Sequence, residues 1–315
     1  MTMFNIIRNF NQNRKMYLEI LLVIVFVFIV LGLINNMTKE NKNNTRINSE
    51  NATRLTNDVI SDKSAVSGQE ISKNRLNKET EAIKNFLDYC NDSKVDLAYE
   101  MITEDCKNAM FPTVDDFNKI YYSKLFDVSN KQFAIENWSQ NVYKIQIMND
   151  ILSTGQINDN ATKTDYITVI SEGEDYKLNI NNYVSKKNIN KSTEKENIKI
   201  MITDVDTYMD YEIYNLTIEN NSDNKIMLDT GNDSKNVYLL DSNDMKYYFY
   251  NNEIIENQMI ISSKYKTNVK IKFSNKYSSN RKIEQLVFSK LILDYDKYKE
   301  NQDKYNEFYM FEINL

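Results

Sequence analysis

Histidine is missing altogether from the 315 residues, and that absence decides which chemistry is open to this chain. Ser–His–Asp and Cys–His arrangements, H-E-x-x-H zinc sites and imidazole general bases all fall away together. Any catalysis has to run on carboxylates, tyrosine or lysine. Tyr121, Tyr122, Asp150 and Asp165 suit such chemistry: a tyrosine beside a carboxyl group can polarise a carbonyl and abstract a proton when burial raises the acid's pKa. The plainer reading weighs more. Tyrosine pairs at helical spacing ordinarily pack with their hydroxyls at a rim, and aspartates at strand ends ordinarily cap turns. The expectation is a protein that is not an enzyme, with these four residues as the candidate lining of a pocket.

Oxygen-rich stretches offer a second kind of chemistry. Asp204 to Glu212 and Thr230 to Asn236 are dense in Asp and Asn, but neither follows the D-x-[DN]-x-[DN]-G spacing of a calcium loop, so no metal or cofactor is expected. Two cysteines, Cys90 and Cys106, are too few for a cysteine-rich zinc module and leave two readings, one disulfide or two small buried thiols. The 22 tyrosines can stack on sugars, yet they equally suit half-buried pleats. Lys and Arg, 39 in all, are interspersed with 45 Asp and Glu for a net charge of −6. No basic face tracks a phosphate backbone, so nucleic acid is excluded as a partner.

The first clear element is a greasy one. Met16 to Ile34, MYLEILLVIVFVFIVLGLI, is a run of roughly 19 residues, which at about 1.5 Å each reaches across a hydrocarbon core of about 30 Å. Met16, Leu21, Phe26, Phe28 and Leu33 are its anchor residues. The run is longer than a secretory core and exits into Asn35 and Asn36 with no small-residue cleavage pattern. Arg8, Arg14 and Lys15 precede it without an acid, whereas Lys39, Glu40 and Lys42 follow, so the positive-inside rule keeps the N-terminus cytoplasmic. The expectation is a single-pass cell-membrane protein that meets the lipid bilayer through residues 16–34 and envelope proteins through its outer part.

Periodicity divides the rest. After a cytoplasmic tail (1–15) and a span (16–37), residues 38–75 are polar and read as a flexible stalk. Ile83, Phe86, Leu87 and Cys90 then mark one face of an amphipathic helix, and Thr113 begins another that carries Phe117, Ile120 and Tyr121. Alternating strands follow, with a hairpin signal at Glu172, Gly173 and Glu174. Helices before antiparallel strands describe an α+β domain over 76–185. KKNINKSTEKENIK, beginning at Lys186, reads as a linker (186–198). YNLTIENNS, NVKIKFS and FYMFEINL alternate as strands of an antiparallel sandwich over 199–315.

The order FLDYC, AYEMITEDCKNAMFPTVDDFNKIYY and then strands ending in DYKLNI resembles the NTF2-like, cystatin-type α+β cone. That resemblance implies either a ligand held in the cone or a membrane-anchored scaffold subunit, like the VirB8-like and TcpC-like components of conjugation and secretion machines. YEIYNLTIENNSDNKIMLD resembles the immunoglobulin-like domains of Gram-positive exported proteins. The fold expected is an α+β NTF2-like cone followed by an all-β immunoglobulin-like sandwich on one transmembrane helix. The function expected is a non-enzymatic envelope scaffold, with a receptor for a small molecule, lipid or wall fragment as the alternative.

Overall fold

Residues 60–126, 131–149, 162–173, 175–230, 235–249 and 259–315 are described by the computed structural model. Helix α1, Lys73–Asn91, is capped by Ser72, whose hydroxyl accepts from the Arg75 amide at 3.3 Å. Leu76, Ile83, Phe86, Leu87 and Cys90 recur at three- and four-residue spacing and bury one face. Short helices follow: α2, Val95–Glu100; α3, Glu104–Met110; and α4, Val114–Phe117, with Thr103 and Thr113 as the caps of the last two. A single π turn, Asn118–Tyr122, carries α4 into α5, Ser123–Leu125. With Phe117 and Tyr121 both turned inward, Ile120 is 39% exposed rather than on their face.

This helical layer covers a four-stranded antiparallel meander in sequence order: β1, Lys131–Ser139; β2, Val142–Asn149; β3, Lys163–Glu172; and β4, Asp175–Asn179. Glu172 pairs with Asp175 across a tight turn in which Gly173 takes φ +69°, a conformation that costs other residues a Cβ clash. Phe86, Phe111, Phe117 and Tyr121 fill the space between helices and sheet, with ring centroids 5.7–6.4 Å apart. These offset and edge contacts suit the ring quadrupoles.

The second sheet has the order β12-β7-β6-β5, from β5, Tyr183–Lys195; β6, Ile198–Tyr208; β7, Glu212–Asn220; and β12, Tyr265–Phe273. The third is built on β8, Ile226–Met227; β9, Val237–Asp241; β10, Lys246–Tyr248; β11, Ile260–Ile261; and β13, Ile283–Ile292, with β14, Phe308–Asn314, paired to β13. Ile200, Ile202, Leu216 and Ile218 from the second sheet and Leu239, Leu286, Phe288 and Phe311 from the third share one buried core. A short helix, α6, Tyr295–Glu300, lies between β13 and β14.

The expected fold class is overturned. Strand makes up 47% and helix 24% of the described residues, arranged in three antiparallel sheets, not an NTF2-like cone linked to a separate immunoglobulin-like sandwich on a membrane helix. Among the described residues no helix is long and apolar enough to cross a membrane. The span at 16–34, with Met16, Leu21, Phe26, Phe28 and Leu33, lies outside them.

Residues 186–198, expected as a linker, are most of β5 and its turn into β6. The reason is that β5 is a sheet edge whose side chains are mainly solvated on both faces, so its composition imitates a loop. The turn itself, Glu196–Asn197 at φ +51° and +61°, has two left-handed residues and no glycine. The end of the expected stalk also differs. Ala65 and Val66 donate their amides to the Asn137 and Trp138 carbonyls at 2.9 and 3.1 Å, so this stretch docks against β1. All described residues belong to one compact unit, Thr53–Leu315.

Candidate functional site

Asp165 faces inward from β3, and Tyr121 reaches it from the π turn. Its Oδ2 accepts from the Tyr121 hydroxyl at 2.7 Å and the Asn181 amide at 3.1 Å; Oδ1 accepts from the Tyr166 and Asn182 amides at 2.7 and 3.0 Å. Asn181 and Asn182, at φ +57° and +64°, are the tight turn between β4 and β5. Burial pushes the Asp165 carboxyl above its ordinary range, against the opposing pull of Tyr121 and the three amides. Burial, and then the charge of Asp165, raises the Tyr121 hydroxyl well above its own. Four donors occupy the carboxylate's acceptor positions, leaving none to take a proton from a substrate. The pair is a clamp that ties helix, meander and turn together.

Tyr122 does not join it. Its ring stacks on Phe126 at 5.7 Å and its hydroxyl donates to Ser93 Oγ at 3.2 Å. Asp150 lies outside the described residues. The four candidates therefore contribute one buried pair and no shared lining.

Two further carboxylate networks are of the same kind. On α1, Glu79 accepts from Arg75 Nε at 2.7 Å and from the Tyr143 hydroxyl at 2.6 Å, joining the helix to β2. On β6, Asp206 accepts from the Tyr183 hydroxyl and from Asn215 Nδ2, each at 2.9 Å. Asn215 Nδ2 also donates to Asp204 at 2.6 Å, and the Lys186 ammonium stands 3.3 Å from Asp204. Register shifts in β5 and β6 bracket this group, as bulges do where a strand must re-aim side chains. Asp204 and Asp206, weighed as calcium ligands, are thus strand residues committed to an amide, a phenol and an ammonium. In the other weighed stretch, Asn236 Nδ2 donates to Thr230 Oγ1 at 3.0 Å; residues 231–234 lie outside the description. Among the described residues no group of three acids or thiols is placed to hold a metal.

Cys90 and Cys106 are free and buried, not bridged. Burial pushes the Cys106 thiol up to about 12 and the Cys90 thiol higher still, so neither ionises near neutral pH. A maleimide added to the native chain should label neither. Denaturation without reductant should release both; a chain that stayed silent until reduced would show a bridge instead.

The surface carries a different feature. β14 exposes three consecutive apolar side chains, Phe308 at 37%, Tyr309 at 37% and Met310 at 49%. Tyr298, Tyr305 and Phe308 continue it as edge-to-face neighbours at 5.3 and 5.4 Å, and the Lys290 ammonium sits 5.5 Å over the Phe308 ring. Sequence reasoning passed over this patch because Tyr309, Phe311 and Ile313 satisfy strand alternation by themselves. The overlooked signal was that Phe308 and Met310 are apolar on the opposite face.

No family model matches the chain, and neither curated proteins nor solved structures show a match to it.

Proposed function

We propose that this chain is a non-enzymatic, single-pass cell-envelope protein whose outer part binds protein partners as a scaffold subunit of an envelope assembly. The observation that carries the reading is the apolar patch of Phe308 and Met310, exposed on one face of an edge strand and continued by Tyr305 against the Phe308 ring, since contiguous apolar surface on a folded unit marks an interaction site. The titratable side chains inside the fold support it: Asp165, Glu79 and Asp206 hold elements together and present no reactive group to solvent. Membrane placement is supported by the length and apolar content of Met16 to Ile34 and by the basic residues before it.

Protease added to intact cells should digest the region after residue 60 and spare an epitope fused at the N-terminus. Crosslinking in the same cells should recover the chain in a larger complex. A C-terminal region that is cut only after lysis would remove the placement, and a chain recovered only by itself would remove the scaffold role.

A further inference from the structure

We infer that the occupant of the exposed edge is β14 of a second copy, paired antiparallel about a two-fold axis at Met310; this rests on the reading that the strip is a binding surface. The backbone sets the register. Leu315 donates its amide to Glu284 at the start of β13, at 2.8 Å, so odd-numbered residues turn their backbone groups toward β13. The Met310 carbonyl accepts instead from the Lys195 ammonium at 3.2 Å, on the other side. The irregularity in this pairing is an extra residue on β13 between Phe288 and Leu291, so the alternation of β14 is unbroken. Phe308, Met310 and Glu312 therefore point N–H and C=O outward, and β14 has no second strand partner among the described residues.

An antiparallel copy centred on Met310 places Phe308 opposite Glu312 and Met310 opposite itself, closing about six backbone hydrogen bonds. The side chains agree with that register. Glu312 is exposed and has no ion-pair partner among the described residues, and it arrives beside the copy's Phe308, over which Lys290 lies. The two-fold axis makes this contact twice, as an isologous interface requires. A slip of two residues separates Glu312 from Lys290 and leaves both charges unmatched. In the single chain Lys195 shields the central carbonyl, the usual protection of an edge by lysine, and it must swing aside for pairing.

The test uses the full-length chain. With Met310→Cys, a short bis-maleimide added to intact cells should give an adduct of twice the chain mass, because Cys90 and Cys106 are buried. In detergent, sedimentation should show Glu312→Lys weakening self-association about ten-fold or more and the charge swap Lys290→Glu with Glu312→Lys restoring it. Met310→Pro should also weaken it with little change in unfolding midpoint, since the lost N–H points away from β13; the charge swap decides should that variant misfold. A chain monomeric at every concentration, or indifferent to Glu312→Lys, would overturn the inference. An adduct at position 310 with a different protein would overturn it while leaving the partner-binding reading intact, whereas no adduct of any kind would remove both.

Discussion

Asp165→Ala is expected to lower folding stability by about 3–5 kcal/mol, the range for removing one side of a buried, fully hydrogen-bonded charge. The substitution strips the acceptor from the Tyr121 hydroxyl and from the Asn181 and Asn182 amides, in a site where Tyr121 and Asp165 are 2% and 3% exposed. Each orphaned buried donor costs about 1–3 kcal/mol, and the sum is reduced because alanine also removes a carboxylate that burial penalises. Asp165→Asn should fall between, as its oxygen keeps some of the donors while its NH2 group points at the others. The sign with pH follows from the raised folded pKa. The pH-linked part of this group's contribution is fully present below the unfolded value near 3.8 and is lost as pH rises through the folded value, while the hydrogen bonds to the carboxylate remain. The gap between wild type and Asp165→Asn should therefore narrow as pH rises from acid. Chemical denaturation of the full-length chain across that range measures it. A loss under 1 kcal/mol for Asp165→Ala at neutral pH would end the clamp reading.

Where local physics dominates, the sequence was readable. Thr113 caps α4 and accepts from the Asp116 amide as its position suggested, and β7 and β12 follow the alternation of YNLTIENNS and NVKIKFS. The turns were harder. With only 5 glycines in the chain, left-handed positions among the described residues fall to Asn181, Asn182, Asn190 and Asn197 and also to Ser93, Gln140, Glu196, Lys235, Asp244 and Lys264; asparagine tolerates that region but is too abundant here to mark a turn, and Gln140, Glu196, Lys235 and Lys264 carry no turn signal. β5 reads as a linker for a further reason, the solvation of an edge strand on both faces, and the boundary placed there falls inside one compact unit. Tyr121 and Asp165 stand among four candidate pocket residues in the sequence, with nothing to pair them, and saturation of the Asp165 carboxylate by backbone amides depends on a turn some sixteen residues downstream, which composition and spacing do not encode. The β14 strip was visible only as an excess, two apolar residues beyond what alternation needs.

Tyr183→Ala should cost about 3–5 kcal/mol, as truncation of a fully buried aromatic does, and should shift one cooperative transition rather than split it. Tyr183 begins β5 and is fully buried in the core beneath the helices, yet its hydroxyl reaches Asp206 on β6 and its ring meets Tyr208 edge-on at 5.1 Å. Around it the meander and the paired sheets are fastened directly. Val142, Val184 and Met209 form a small cluster with Trp138, Tyr166 and Tyr277. The Met209 amide donates to Asn182 and the Tyr277 amide to Met209, at 2.9 and 2.7 Å. A hinge would leave few such contacts, and independent domains would melt separately. Trp138, the one tryptophan in the chain, reports the meander by fluorescence, while far-UV circular dichroism reports all three sheets. The two signals should coincide in wild type and move together in Tyr183→Ala. Should fluorescence shift while most of the dichroism change keeps its wild-type midpoint, β5 is a tether between two domains and the shared strand carries no coupling.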